Sequence, residues 1–228
     1  MVQSYFEGIE KERNHLSMHL VSNEIENYIS QFSSAEDEVL RELSRETYLK
    51  IQMPQMVSGN LQGQFLEMIS RMLQPKRILE VGTFTGYSAI CLAKGLTDTG
   101  LLYTIDVNEE LQPMCARYFE KANLTSKIKH LIGDARKIIP ELNETFDLVF
   151  IDADKINYSN YYDLVFDKVC VGGYIIADNV LWSGKVVEEK KDKDTLAIHQ
   201  YNEKIAADAR VKNFILPLRD GLNIAVKQ

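Results

Sequence analysis

The chain has 228 residues, 45% of them hydrophobic and 26% charged, with a formal net charge of −7. Those values suit a folded globular protein of one domain or barely two, and the acidic balance excludes the clustered Lys and Arg of a nucleic-acid surface. Apolar runs are too short to span a membrane, residues 1–14 lack the apolar segment of a signal peptide, and Cys91, Cys115 and Cys170 form no C-x-x-C pair. The expectation is a cytoplasmic protein with buried thiols and with neither membrane nor nucleic acid as a partner.

Residues 15–75 read as helical. Ser22 is placed to cap a helix over residues 23–30, with Ile25 and Ile29 one turn apart. Residues 35–51 repeat the pattern through Val39, Leu40, Leu43 and Leu49, and Pro54 breaks it. Residues 64–73 carry Phe65, Leu66, Met68, Ile69 and Leu73, an apolar face for packing on a sheet, and Pro75 stops them.

From Arg77 onward strands and helices alternate. Strands are predicted over residues 77–81, 101–106, 127–132, 146–152 and 173–178. Helices are predicted over 87–94, 109–122, 136–142 and 158–169, with Gly95 as the cap of the first. This alternation predicts a mostly parallel sheet with helices on both faces. A helix over 195–209 follows, then strands over 211–218 and 222–227 joined at Asp220-Gly221, which predicts an antiparallel hairpin at the end of the sheet. The charge run of residues 188–194 reads as a solvated loop.

The stretch Arg77 to Tyr87 is a strand, a glycine turn and the start of a helix, the way open α/β sheets build a nucleotide crevice. A dinucleotide fingerprint needs three glycines, and Phe84 stands where the middle one would be, between Gly82 and Gly86. Glu80 would repel a phosphate and suits a cationic group such as an amine. The competing reading is a glycine turn kept for packing.

Ligands in such sheets bind beyond the carboxyl ends of the strands. There the sequence places Glu80, Asp106, Asp134, Asp152 and Asp178, all acidic. One such Asp is as well explained by a turn or helix cap; five suggest a site for hydroxyls, an amine, an exocyclic amino group or a metal. Asp106 is placed for ribose hydroxyls, Asp134 and Ala135 for an adenine, and Glu80 for an amine. Together they suit S-adenosylmethionine and suit NAD poorly. Asp152, Asp178 and Asn179 offer only oxygen, from strands expected about 4.8 Å apart. That set selects Mg2+, or alternatively Ca2+ or Mn2+, over zinc, with helix capping by Asp152, Asp154 and Asn179 as the alternative.

At these residues the chain resembles the cation-dependent small-molecule O-methyltransferases, the group of the caffeoyl-CoA and catechol enzymes, and within it the bacterial branch. The segments that carry the resemblance are Met56-Val57-Ser58, Gln62 to Leu66, Glu80 to Ser88, Asp152-Ala153-Asp154-Lys155 with Tyr158, Asp178 to Gly184, and Asp220-Gly221-Leu222. It covers the chain from about Leu20 onward. The resemblance implies a single Rossmann-like class I methyltransferase domain over residues 1–228. In it, residues 1–75 form a helical segment packed on a seven-stranded, mostly parallel sheet. It implies cofactor contacts by Met56, Ser58, Glu80, Gly82, Thr83, Ser88, Asp106, Ala135 and Asp154. It also implies metal ligation by Asp152, Asp178 and Asn179, Lys155 as general base beside the reacting hydroxyl, and a homodimer.

Trp182 and Ser183 are the candidate acceptor contacts, with core packing an equal alternative for Trp182. Ser183 stands where plant caffeoyl-CoA enzymes have Asn, and residues 16–20 lack their substrate-contacting lysine. Both differences weaken the expectation of a CoA thioester acceptor. Arg219 replaces a small residue, and residues 7–17 are candidates for a lid or a dimer contact. The expected reaction is methylation of a vicinal-dihydroxy aromatic, in which a nearby cation would lower the ammonium pKa of Lys155. A nicotinamide-dependent oxidoreductase and a non-catalytic binding protein on the same scaffold are the alternatives.

Overall fold

The structure is a computed structural model that describes residues 22–228. The lid segment 7–17 and the lysine-lacking segment 16–20 therefore lie outside the described residues. Seven strands form one sheet in the order β3-β2-β1-β4-β5-β7-β6. They are β1 (Arg77–Val81), β2 (Leu101–Asp106), β3 (Ile128–Ile132), β4 (Phe146–Ile151), β5 (Val169–Ala177), β6 (Val211–Leu216) and β7 (Leu222–Lys227). The first five pair in parallel, and β7 runs antiparallel to both β5 and β6.

The chain starts at the centre with β1, moves outward through β2 and β3, and returns to lay β4 on the other side of β1. The winding reverses between β1 and β4, which opens a crevice past their carboxyl ends. Eight helices flank the sheet among the described residues: α1 (Asn23–Phe32), α2 (Glu38–Lys50), α3 (Gly59–Leu73), α4 (Tyr87–Ala93), α5 (Gln112–Lys121), α6 (Ala135–Glu141), α7 (Tyr158–Phe166) and α8 (Lys193–Ala207). None is long and apolar enough to cross a membrane.

Both sheet faces are covered, so the central strands read as continuous apolar runs rather than alternating ones. Ile78, Leu102, Phe150 and Ile176 point to one face and pack with Leu43, Leu66 and Ile90 of α2, α3 and α4. Leu79, Val149, Ile151 and Ile175 point to the other and pack with Tyr158, Tyr162 and Tyr201 of α7 and α8.

Some boundaries differ from the sequence reading. Helix α3 begins at Gly59 rather than residue 64, despite three poor helix formers in its first five positions. Gly63 is there because α3 and α4 touch: a Cβ on it would lie 2.6 Å from the Tyr87 ring. Gly95 is no left-handed cap. It lets the chain pass Ser70, whose carbonyl carbon a Cβ would meet at 2.2 Å. Strand β5 begins at Val169, inside the span expected to be helical, and its register against β4 shifts before Tyr174. Gly172, at φ +79°, sits in that bulge.

Gly82 shows what the glycine turn is for. It has φ +102°, and a Cβ on it would lie 1.9 Å from the carbonyl oxygen of Asp152. The close approach that excludes a side chain is thus to the end of β4, where Asp152 N–H also donates to Val81 O at 2.8 Å. The packing reading of this glycine holds, and the same contact fixes the two strand ends that border the crevice. Gly82→Ala is expected to lose at least about 3 kcal/mol of stability, from backbone strain plus overlap with main chain that cannot retreat. Urea unfolding of the variant measures this; a loss under about 1 kcal/mol would contradict it.

Candidate active site

A cleft of about 1250 Å3 opens past the carboxyl ends of β1, β2, β4 and β5. Its wall includes Asp106, Asp134, Asp152 and Asp178, so four of the five strand-end carboxylates meet there as the topology predicts. The fifth, Glu80, is fully buried and is not on the wall.

One half of the cleft gathers the predicted cofactor residues. Met56, Ser58, Gly82, Thr83 and Ser88 line it, as do Asp106, Asp134, Ala135 and Asp154. Asp106 also holds the glycine turn itself. Its Oδ2 accepts from the N–H groups of Thr83 (3.0 Å) and Phe84 (2.8 Å), and its Oδ1 from Asn108 N–H (2.9 Å). Phe84 takes φ +48° to make those bonds, which accounts for a non-glycine at the place of a middle glycine. Asp134 does double duty too. It caps α6 through Arg136 N–H (2.9 Å) and pairs with the Arg136 guanidinium (2.7 Å), which holds its carboxyl down to about 2. Asp154 accepts from Tyr161 and Asn157 side chains, so its carboxylate is aimed by α7 rather than spent on capping backbone.

Glu80 lies behind the turn and is linked to the wall through hydroxyls. Thr104 Oγ1 donates to Glu80 Oε2 at 2.5 Å, and Thr83 on the wall bonds Thr104 at 2.5 Å. Glu80 Oε1 has no partner. Burial pushes its carboxyl up to about 8. The folded value therefore exceeds the ordinary 4.5, and folding takes up a proton. The contribution of this group is fully present below about pH 4.5 and is lost as pH rises through about 8. The cofactor-free protein is expected to lose a few kcal/mol by this route, and Glu80→Gln is expected to escape the loss. Thermal unfolding of both proteins from pH 5 to pH 9 checks it: the variant's Tm should gain on the wild type as pH rises, and parallel curves would contradict the assignment.

The other half of the cleft holds the predicted metal and catalytic residues. Asp152 ends β4 and Asp178 ends β5, neighbouring strands in register at Ile151 and Ala177. Asn179 follows at φ +57°, a left-handed position that Asn tolerates better than most residues. Lys155, on the turn after β4, has its Nζ among them. It donates to Asp152 Oδ1 (3.0 Å), Asn179 Oδ1 (2.8 Å) and Tyr158 Oη (2.6 Å). Tyr158 Oη in turn donates to the backbone carbonyl of Asp178 (2.9 Å). Burial and the charge of Asp152 push the Asp178 carboxyl up.

This donor set fits a hard divalent cation. All its atoms are carboxylate or amide oxygens, and a positive charge already bridges Asp152 and Asn179 in the form of the Lys155 ammonium. No three His, Cys, Asp or Glu side chains cluster as a metal site among the described residues, so the fit depends on the Asn179 amide.

Trp182 lines this half, with the Lys155 ammonium 5.7 Å from its ring centroid. Ser183 does not line it. Ser183 is exposed, and its N–H donates to Asp220 Oδ1, so its part is to tie the segment to the last hairpin.

The roles of Gln62, Lys193 and Asp194 escaped the sequence reading of the site. Gln62 of α3 is buried and donates from Nε2 to Asp178 Oδ2 at 2.6 Å. Only the three-dimensional approach of α3 to the end of β5 reveals that role. Lys193 and Asp194, read as solvated, reach the cleft wall, and Asp192 caps α8 by accepting from Thr195 N–H at 2.8 Å.

Comparison with known proteins gives the family and the fold. A family model described as O-methyltransferase matches residues 30–228. Caffeoyl-CoA O-methyltransferase 5 of Nicotiana tabacum is 34% identical over 94% of this chain and 95% of its own length. Among solved structures, the O-methyltransferase TomG from Streptomyces achromogenes, in complex with SAM, superposes with a TM-score of 0.84 at 27% identity, covering 90% of this chain and 96% of that one. The O-methyltransferase from Bacillus cereus, in complex with SAH, gives 0.84 at 30% identity, with 90% and 97% covered. The seven-stranded sheet is thus the class I methyltransferase fold. This chain belongs to the O-methyltransferase family that includes the caffeoyl-CoA O-methyltransferases, and it is an S-adenosylmethionine-dependent O-methyltransferase.

Proposed function

We propose that the acceptor is a vicinal-dihydroxy aromatic and that methyl transfer to it depends on a divalent cation. The observation that carries this is the convergence of Asp152, Asp178, Asn179 and Lys155 at one end of a cleft whose other end holds the cofactor residues. Asp152, Asp178 and Asn179 would hold the cation, with Mg2+ preferred and Ca2+ or Mn2+ as substitutes. When bound, it lowers the cost of ionising a phenolic hydroxyl.

The remaining work belongs to the chain. Lys155, as the free amine, takes the hydroxyl proton at Nζ, and Tyr158 keeps that nitrogen beside Asp152 and Asn179. Trp182 covers the aromatic ring. The turn from Gly82 to Ser88 would hold the methyl donor, which would supply an electrophilic methyl group to the phenolate oxygen. The carbon–sulfur bond breaks as the oxygen–carbon bond forms, leaving S-adenosylhomocysteine, the methyl ether and a proton on Lys155.

The test is S-adenosylhomocysteine production from a simple catechol, with and without EDTA. Turnover is expected only with the cation, restored by adding excess Mg2+. Activity that persists after EDTA treatment removes the cation from the reaction, and no turnover of any catechol under either condition removes the acceptor class.

A further inference from the structure

We propose that Arg219 is a specificity-determining residue that pairs with a carboxylate on the acceptor, so that the enzyme prefers a catechol acid to a neutral catechol. This rests on the catechol reading above and narrows it.

Arg219 sits in the turn of the β6–β7 hairpin with φ +49°, where glycine would be free of strain. A side chain kept in a left-handed turn needs a reason beyond the turn. Arg219 lines the cleft. Nη1 donates to the backbone carbonyls of Val57 (3.2 Å) and Ser58.

The rest of the guanidinium is unspent. Arg77, Arg117, Arg136 and Arg210 each hold a carboxylate. Arg219 has none at ion-pair distance among the described residues, and its Nε and Nη2 make no hydrogen bond there. A planar guanidinium with free N–H groups at a cleft wall matches a carboxylate, which it can take in two parallel bonds. Lys193, also on the wall and outside any ion pair among the described residues, adds positive charge.

Two carboxylates could meet it, that of an acid acceptor and that of the cofactor's methionine moiety, and the anchoring of the turn favours the first. The Arg219 turn is locked onto the acceptor segment. Val180 N–H donates to Gly221 O (3.1 Å) and Leu181 N–H to Asp220 O (2.9 Å), while Ser183 N–H takes the Asp220 side chain. A Cβ on Gly221 would lie 2.5 Å from Leu181, so the two segments are in contact. The turn is thus bonded to the segment that carries Asn179 and Trp182. Nη1 fastens the arginine to the Val57–Ser58 backbone, beside the cofactor half, so the guanidinium is held at the border of the two halves before an acceptor arrives.

The experiment compares 3,4-dihydroxybenzoate with its neutral methyl ester in the wild type, Arg219→Gly and Arg219→Lys, with the KM for S-adenosylmethionine measured alongside. Glycine suits the turn, so the first variant is expected to fold. The wild type should favour the acid. Arg219→Gly should lower the acid-to-ester ratio of kcat/KM by about 10- to 100-fold, chiefly through the KM of the acid, with partial recovery in Arg219→Lys. Equal losses on acid and ester, or a rise confined to the KM of S-adenosylmethionine, would overturn the assignment, the latter by giving Arg219 to the cofactor's carboxylate. If neither compound is methylated, the acceptor reading fails by itself. Calorimetric titration of the acid into protein loaded with S-adenosylhomocysteine and Mg2+ then still decides Arg219. Binding lost in Arg219→Gly supports the pairing, and binding that is absent or unchanged overturns it.

Discussion

Replacing Asp152 by alanine is expected to lower methyl transfer by about 10^3-fold or more and, in the same protein, to weaken divalent-cation binding. The carboxylate stands at the end of β4, one strand from Asp178, and its Oδ1 already receives a positive charge from Lys155 at 3.0 Å. Its removal leaves Asp178 and the neutral Asn179 amide, too little negative charge to hold a hard cation at a partly exposed site. The backbone contacts that fix the strand end, from Asp152 N–H to Val81 O and from Asp152 O against Gly82, do not involve the side chain. The variant should therefore fold and bind S-adenosylhomocysteine. Asp152→Asn preserves shape but not charge and should fall between. Turnover with saturating Mg2+ and calorimetric titration with Mg2+ measure the two effects; an alanine variant with unimpaired turnover would remove Asp152 from the reaction.

Asp152 also shows how much of the site the sequence carried. Its place past an apolar strand was readable from Phe146 to Ile151 alone, because a strand buried on both faces leaves no other pattern. Its neighbours followed from topology: parallel strands linked by helices put their ends on one edge. That logic brought Asp106, Asp134 and Asp178 to the cleft. It could not show that Glu80, one residue before the end of β1, turns inward. Glu80 pairs with Thr104 across β2 and is buried beneath the turn.

The failures are local where tertiary contacts outweigh propensity. Val169 read as the last residue of a helix and the strand as starting at Gly173, yet a bulge at Gly172 lets β5 begin at Val169. Helix α3 starts early because Gly63 must meet Tyr87, which no helical period reports. Trp182, Ser183 and Gly184 all take positive φ, and nothing in their order predicts it. The Asp220 side chain, which accepts from Ser183 N–H, holds that shape from a hairpin 37 positions away. The contacts of Gln62 and Arg219 were missed for the same reason: each bonds a residue distant in sequence, Asp178 for one and Ser58 for the other.

Lys155→Met separates chemistry from cation binding, which Asp152→Ala removes together. Methionine keeps an unbranched apolar side chain between the Tyr158 and Trp182 rings but loses the ammonium, whose Nζ lies 4.7 Å and 5.7 Å from their centroids. In the structure that ammonium occupies Asp152 Oδ1 and Asn179 Oδ1, on two of the three residues proposed to hold the cation. Ammonium and cation therefore compete for the same acceptors, and the protein without the ammonium should bind Mg2+ at least as tightly as the wild type. Turnover should still fall by about 10^2- to 10^4-fold, the usual worth of a positioned general base. The remaining activity should rise with pH as the catechol itself ionises in solution. Calorimetry with Mg2+ and a pH–rate profile read these separately. Weakened Mg2+ binding together with a wild-type pH profile would make Lys155 a structural partner of Asp152 and leave the proton to another group.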